Sequence, residues 1–261
     1  MRTHTHAAAG LTVLITGATG AIGYALAEVY AGPGTKLILQ GRDAARIEQL
    51  TGLCVAKGAR VVSRQLDVRN RGELRKWLRE SCQHEAIDLA IVGAGVNINI
   101  GPDRAGESWE DVEALIDINV LAAMATVDAV LPSMRARGRG QIALLSSLAA
   151  WFGLPVTPSY CASKAAIKSY GEALRGWLAP DGIRVNVVMP GYVESRLSRD
   201  MPGPKPFRWP AERAARHIKR GLERDLPRIS FPFPMNLGTW LLAVFPPGVS
   251  ERILRRLGYR G

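Results

Sequence analysis

The chain has 261 residues, enough to bury a sizeable core and, by length alone, to form one or two domains. Hydrophobic residues make up 47% and charged residues 22%, the balance of an ordinary globular protein. The net charge of +11 is concentrated at one end. Residues 195–261 hold 14 Lys/Arg against 5 Asp/Glu, a distribution that excludes a uniformly basic nucleic-acid binder.

Two readings of the basic C-terminal quarter stay open. It is a solvated face, or it is a patch for an anionic membrane surface or a phosphate-bearing ligand. The cysteines Cys54, Cys82 and Cys161 show neither metal-ligand spacing nor a paired framework, so the expected setting is reducing and cytoplasmic, with no metal.

No Asp, Glu, Lys or Arg occurs between Arg2 and Glu28, as in a signal peptide or membrane helix. Gly10, Gly17, Gly20 and Gly23 instead divide this stretch into a strand, a turn and a helix. His4 and His6 read as a frayed tail rather than metal ligands.

Leu11–Thr16 is an apolar run without alternation, the pattern of a strand buried on both faces. A helix over 21–31 follows, then a strand at 36–40 and a helix over 43–57. Further strands are expected at 61–66 and 87–92, flanking an amphipathic helix over 71–82. A long helical region covers 107–137, with Pro132 near its end. The strand at 141–146, the helix over 159–178 and the strand at 183–189 complete the alternation. Strict strand–helix alternation predicts an α/β fold: a single-domain, Rossmann-type, doubly wound parallel sheet with helices on both faces. After Pro190 the texture changes. A substrate lid is expected at about 192–210, then a helix over 211–224 and an edge strand at 228–233. An atypical basic and apolar segment, about 228–261, ends the chain; its run 237–245 is too short to span a bilayer.

The turn Thr16-Gly17-Ala18-Thr19-Gly20-Ala21-Ile22-Gly23 joins the first strand to the first helix. Its glycines let the backbone approach a pyrophosphate, and the helix N-terminus offers free N–H groups. At the end of the second strand, where NAD binders place a carboxylate, the chain reads Gln40-Gly41-Arg42. Arg42 suits a 2′-phosphate, and Asp43 suits the cap of the next helix, so NADP is favoured over NAD.

Tyr160 and Lys164 share a helix face by their i, i+4 spacing. A free tyrosine has a pKa of about 10, and an adjacent ammonium is expected to lower it toward a useful proton-exchange range. Ser147 follows the fifth strand and points to the carboxyl end of the sheet; its neighbour Ser146 is the rival, and alternation admits only one of them to the site.

Taken together, these residues resemble the short-chain dehydrogenase/reductase family in its short single-domain branch, over about Leu11 to Ser195. The motifs are the TGATGAIG turn, Asp67-Val68, Ala94-Gly95, Asn119, Ser147, Tyr160, Lys164 and Pro190-Gly191. The resemblance implies hydride transfer between NADP(H) and a carbonyl or secondary alcohol. Tyr160 would exchange the proton, Lys164 would bind the nicotinamide ribose and Ser147 would polarise the carbonyl. Asn119 would hold a water leading to Lys164, Asp67 would contact the adenine, and Val193 and Ser195 would lie near the nicotinamide. Three departures stand out: Ala21 where a third glycine is usual, Val92-Gly93 where two asparagines are usual, and no glycine-rich strand at the C-terminus. The last implies a homodimer at most, through the helices near 107–135 and 159–178, with a monomer as the alternative.

Met201, Phe207, Trp209, Phe231, Phe233, Trp240 and Leu241 make the late part of the chain aromatic and apolar. They read as core packing or as the lining for a lipid-, steroid- or acyl-like substrate. With such a substrate, the basic tail would make peripheral contact with a membrane surface. The rival functions are a non-catalytic dinucleotide-binding regulator and a nucleotide-sugar epimerase or dehydratase. The shortness of the chain disfavours the latter.

Overall fold

A computed structural model describes residues 10–259 except Pro102 and Pro202; His4 and His6 lie outside the described residues. Seven strands form one sheet: β1 Thr12–Thr16, β2 Lys36–Gly41, β3 Arg60–Gln65, β4 Leu89–Val92, β5 Gly140–Leu145, β6 Ile183–Pro190 and β7 Arg228–Phe231. Their order is β3-β2-β1-β4-β5-β6-β7, and every pairing is parallel. The unalternating apolar runs are explained by burial on both faces. Val13 and Ile15 of β1 enter one hydrophobic cluster while Leu14 between them enters the other. β3 is the exception. It is an edge strand, largely exposed, and Arg60 and Arg64 charge its free side.

The helices are α1 Ala21–Tyr30, α2 Ala44–Ala56, α3 Arg71–His84, α4 Trp109–Ile116, α5 Ala122–Arg137, α6 Pro158–Leu178, α7 Arg196–Asp200, α8 Ala211–Glu223, α9 Met235–Val244 and α10 Pro247–Arg256. One face of the sheet is covered by α1, α2 and α8, the other by α3, α5 and α6. Local chemistry sets several starts. Asp43 caps α2, as expected, by accepting from the Arg46 N–H at 3.0 Å; Asn70 and Ser108 do the same for α3 and α4.

The long helical region differs from its sequence pattern in one respect. Between α4 and α5 the backbone forms a π turn at Asp117–Leu121, and Pro132 lies within α5. Trp109–Arg137 is long and apolar enough to cross a membrane, but Leu115, Ile118, Val127, Val130 and Met134 are buried, the last four of them in the core beneath the sheet.

Because β1, β2 and β3 run one way across the sheet and β4 onward the other, a crevice opens at the carboxyl ends of β1 and β4. Past β6, Val193 pairs with Trp209, and the Glu194 N–H donates to Trp209 O at 2.9 Å, closing the base of the loop that carries α7. The end of the chain returns over the same crevice. Leu242, Leu254 and Tyr259 form a cluster with Val156, Tyr192 and Met201.

Candidate active site

The glycine turn is built around contacts that admit no side chain. Gly17 has φ +70, and a β-carbon there would lie 2.7 Å from the Ala94 backbone. One on Gly23 would lie 2.3 Å from Gly17 O. These two positions hold β1, α1 and the loop after β4 together. Gly20 caps α1 without a side-chain bond, so the N–H groups of Ala21, Ile22 and Gly23 have no partner inside the helix and line the crevice. Thr19, Gly20 and Gly17 line it too. Thr16 stands behind the turn, its hydroxyl accepting from the Gly93 N–H at 3.1 Å.

Gln40, which sequence reasoning read only as the end of a strand, secures the turn. It is buried, accepts from the Gly17 N–H at 2.9 Å and donates to Leu66 O at 2.5 Å. Arg42 lines the crevice as expected, and so does Arg46, which the sequence reading passed over. Arg46 lies over the Tyr24 ring, 5.1 Å from its centroid. Asp67 does not line the crevice; Val68 does. The Asp67 carboxylate is held by Arg69 at 2.7 Å, and that hydrogen bond keeps its pKa below the usual value.

Ser146 and Ser147 both line the cavity, contrary to the expectation that only one would, but their hydroxyls diverge. The Ser146 hydroxyl is buried and donates to Lys164 O at 2.7 Å. Ser147 faces the crevice, where its hydroxyl accepts from the Ala149 N–H at 3.1 Å and acts on the Tyr160 phenol. The Lys164 Nζ lies 5.6 Å from the centre of the Tyr160 ring and donates to Leu145 O at 3.1 Å.

Asn119 comes from the π turn and does not reach the crevice surface. Its amide donates to Val96 O and Ser163 Oγ, both at 3.0 Å, and its carbonyl accepts from the Val96 N–H at 2.8 Å. Gly95 lines the crevice between Asn119 and Lys164, and a β-carbon there would lie 3.3 Å from polar atoms of both. Ala94 packs behind it, against Gly17. In place of two asparagines after β4, the Thr16 hydroxyl and Asn119 bond that loop.

The electrostatics of the chain alone run opposite to the expected lowering of the tyrosine. Burial pushes the Tyr160 phenol up to about 12, and the Ser147 hydroxyl opposes this only in part. Burial also brings the Lys164 ammonium down to about 8. At neutral pH the phenol is therefore protonated and the amine still largely charged, the states suited to giving a proton away.

The crevice is one cavity of about 1590 Å³ running from the glycine turn past Ser147 and Tyr160 to an apolar end. Pro190, Gly191, Val193 and Ser195 line the stretch between. Of the seven aromatic and apolar residues picked out by sequence, Met201, Phe207 and Leu241 line the cavity. Trp209 and Phe231 instead stack on each other at 5.0 Å, with Phe231 fully buried, and Phe233 and Trp240 face solvent. The wall that sequence did not disclose includes Phe152, Tyr192, Met235, Leu242, Phe245 and Leu254.

Residues 11–204 match the family model described as short chain dehydrogenase. The chain belongs to the short-chain dehydrogenase/reductase family. An uncharacterized oxidoreductase of Myxococcus xanthus is 33% identical over 247 residues, 94% of this chain and 97% of the other. Among solved structures, a short-chain dehydrogenase from Sphingobium yanoikuyae in complex with NADPH superposes with a TM-score of 0.79 at 25% identity, covering 94% of this chain and 95% of that one. A short chain dehydrogenase from Mycobacterium paratuberculosis bound to NAD gives 0.73 at 26% identity, over 85% and 96%. As a short-chain dehydrogenase/reductase, the protein is an oxidoreductase that binds a nicotinamide nucleotide and a small-molecule substrate, on the seven-stranded parallel sheet of that family.

Proposed function

We propose that this short-chain dehydrogenase/reductase uses NADP(H) to interconvert a carbonyl and a secondary alcohol on a bulky hydrophobic molecule, lipid-, steroid- or acyl-like. One observation carries the reading. The cavity that begins at the unpartnered N–H groups of α1 passes Ser147 and Tyr160 and continues into an apolar end walled by α9 and α10. The residues present fit a phosphorylated dinucleotide. The N–H groups of Ala21, Ile22 and Gly23 suit its pyrophosphate. Arg42 and Arg46 line the cavity at the second βα turn and suit a 2′-phosphate, while Asp43 beside them caps α2 through one carboxylate oxygen.

The bound nucleotide would supply the hydride. The chain supplies the rest. The protonated Tyr160 phenol gives its proton to the carbonyl oxygen, and the Ser147 hydroxyl donates a hydrogen bond to the same oxygen as negative charge grows there. The Lys164 ammonium, held under the ring by Leu145 O, stabilises the phenolate left behind. In the reverse direction Tyr160 takes the alcohol proton. Asn119, bonded on both sides, acts here as a positioning residue for the Val96 loop and Ser163. A second copy of the chain is the expected protein partner, through the outward faces of α4, α5 and α6, and light scattering at twice the chain mass tests it.

The deciding experiment is a panel of ketones of increasing bulk with NADPH or NADH, followed by loss of reduced-nicotinamide absorbance. NADPH consumption that rises with apolar bulk supports the proposal. No net consumption with any ketone would favour a dinucleotide-binding regulator or an epimerase, which recycles its nucleotide.

A further inference from the structure

Of the two terminal helices, α9 is apolar on both sides and α10 is amphipathic, its arginines exposed. The inner side of α9 sends Leu241 and Leu242 into the cavity wall. Its outer side shows Leu237, Trp240 and Val244 to solvent, a stripe at helical spacing, with Val244 59% exposed. Phe233, 76% exposed, and Val249 extend that stripe at either end. Three further residues belong to both regions: Phe207, Phe245 and Leu257 line the cavity and are also solvent-exposed, so they form an apolar rim at its mouth. The exposed patch and the interior of the cavity are thus one continuous apolar surface.

Charge tells what covers it. Among residues 233–259 there are three arginines, Arg252, Arg255 and Arg256, against Glu251, and that glutamate is paired with Arg255 at 2.9 Å. The adjoining lid adds Arg196, Arg199 and Lys205, its Asp200 lying 3.8 Å from Arg196. The lid is tied to the tail, because the Tyr259 hydroxyl donates to Pro204 O at 2.8 Å and bonds the Tyr192 hydroxyl at 2.9 Å. A second copy seated about a two-fold axis would bring this cationic rim toward itself. An anionic surface complements it. Helices of 10 residues reach about 15 Å, too short to cross the roughly 30 Å hydrocarbon core but suited to lying at its boundary, apolar stripe inward and arginines at the headgroups.

We propose that this face seats the protein on an anionic bilayer, with α9 and α10 in the headgroup boundary and the cavity mouth opening toward the acyl chains. The seat rests on the hydrophobic-substrate reading for its purpose: an apolar ketone or alcohol would enter from the lipid without crossing water.

Co-sedimentation with phosphatidylcholine vesicles, with and without phosphatidylserine, tests it on the full chain. The wild type is expected to sediment with the phosphatidylserine vesicles, and added salt should weaken the binding. Arg252→Gln and Arg256→Gln should each lower that partition about fivefold. A Leu237→Ser/Trp240→Ser/Val244→Ser variant should lose it, while turnover of a small water-soluble ketone stays at the wild-type rate in all of these, since none of the changed residues lines the cavity. Wild type that stays in the supernatant, or variants that sediment equally well, would overturn the proposal. So would a lipid-free mass that halves in the triple variant, which would assign the face to a second copy. Vesicle binding is read without substrate. A chain that sediments but reduces no ketone would keep the membrane seat and defeat the reductase reading, and the converse result would separate them the other way.

Discussion

At Tyr160, two opposed forces act on one phenol. Burial removes water that would solvate the phenolate and pushes the pKa up to about 12; the Ser147 hydroxyl favours the ionised form. Removing the hydroxyl in Tyr160→Phe deletes the proton donor and little volume, so kcat should fall by roughly 10²–10⁴-fold while the NADPH dissociation constant stays close to wild type. Lys164 gives a pH prediction. Its charge is present below about pH 8 and is lost as the pH rises through that value, so the carbonyl-reduction rate should be level at neutral pH and decline above it. A pH profile of kcat checks this, and a flat profile to pH 10 would contradict it. Arg42→Ala should weaken NADPH binding about tenfold or more and leave NADH binding little changed, as titration of each nucleotide would show. Ser147, rather than Ser146, was legible as the residue whose hydroxyl faces the site because strand alternation is a local rule. Gln40 was not, because both of its partners, Gly17 and Leu66, come from distant parts of the chain. Nor was the upward shift of Tyr160, since burial depends on the whole wall around it.

Among the elements, α6 matters most, since it carries both Tyr160 and Lys164. Gly171 sets how closely α6 lies on the sheet: a β-carbon there would stand 2.6 Å from Val187 Cγ2 and 2.9 Å from Leu144 Cδ1. Gly171→Ala should therefore cost about 1–3 kcal/mol by overpacking and lower Tm by several degrees. It should also reduce kcat, because the helix must lift to accommodate the methyl group. Calorimetry and steady-state kinetics on one preparation check both. The strands were readable because apolar runs and parallel burial go together, and the start of α2 because Asp43 acts locally. The π turn at Asp117–Leu121 left no mark in the periodicity. The role of α9 and α10 was hidden for a related reason: an apolar residue that lines a cavity has the same composition as one in a core or against a lipid, and only the fold distinguishes them.

For the whole molecule, the cavity joins elements far apart in sequence, from the turn after β1 to Tyr259. A nucleotide that spans it stabilises the folded chain alone. Saturating NADPH, about 100 times its dissociation constant, should add about 2.7 kcal/mol and raise Tm by roughly 5–10 °C, with a smaller rise for NADH at the same concentration. Equal shifts for the two nucleotides would contradict the proposed preference. The most direct measurement is isotopic. A bulky apolar ketone is reduced with NADPH carrying deuterium at both nicotinamide C4 positions, and the alcohol is weighed by mass spectrometry for wild type and Tyr160→Phe. Deuterium on the carbinol carbon with wild type, and almost no alcohol from a Tyr160→Phe protein that still binds NADPH, is the expected result. Alcohol formed without deuterium, or formed equally well without the phenol hydroxyl, would contradict a hydride transfer completed by the Tyr160 proton.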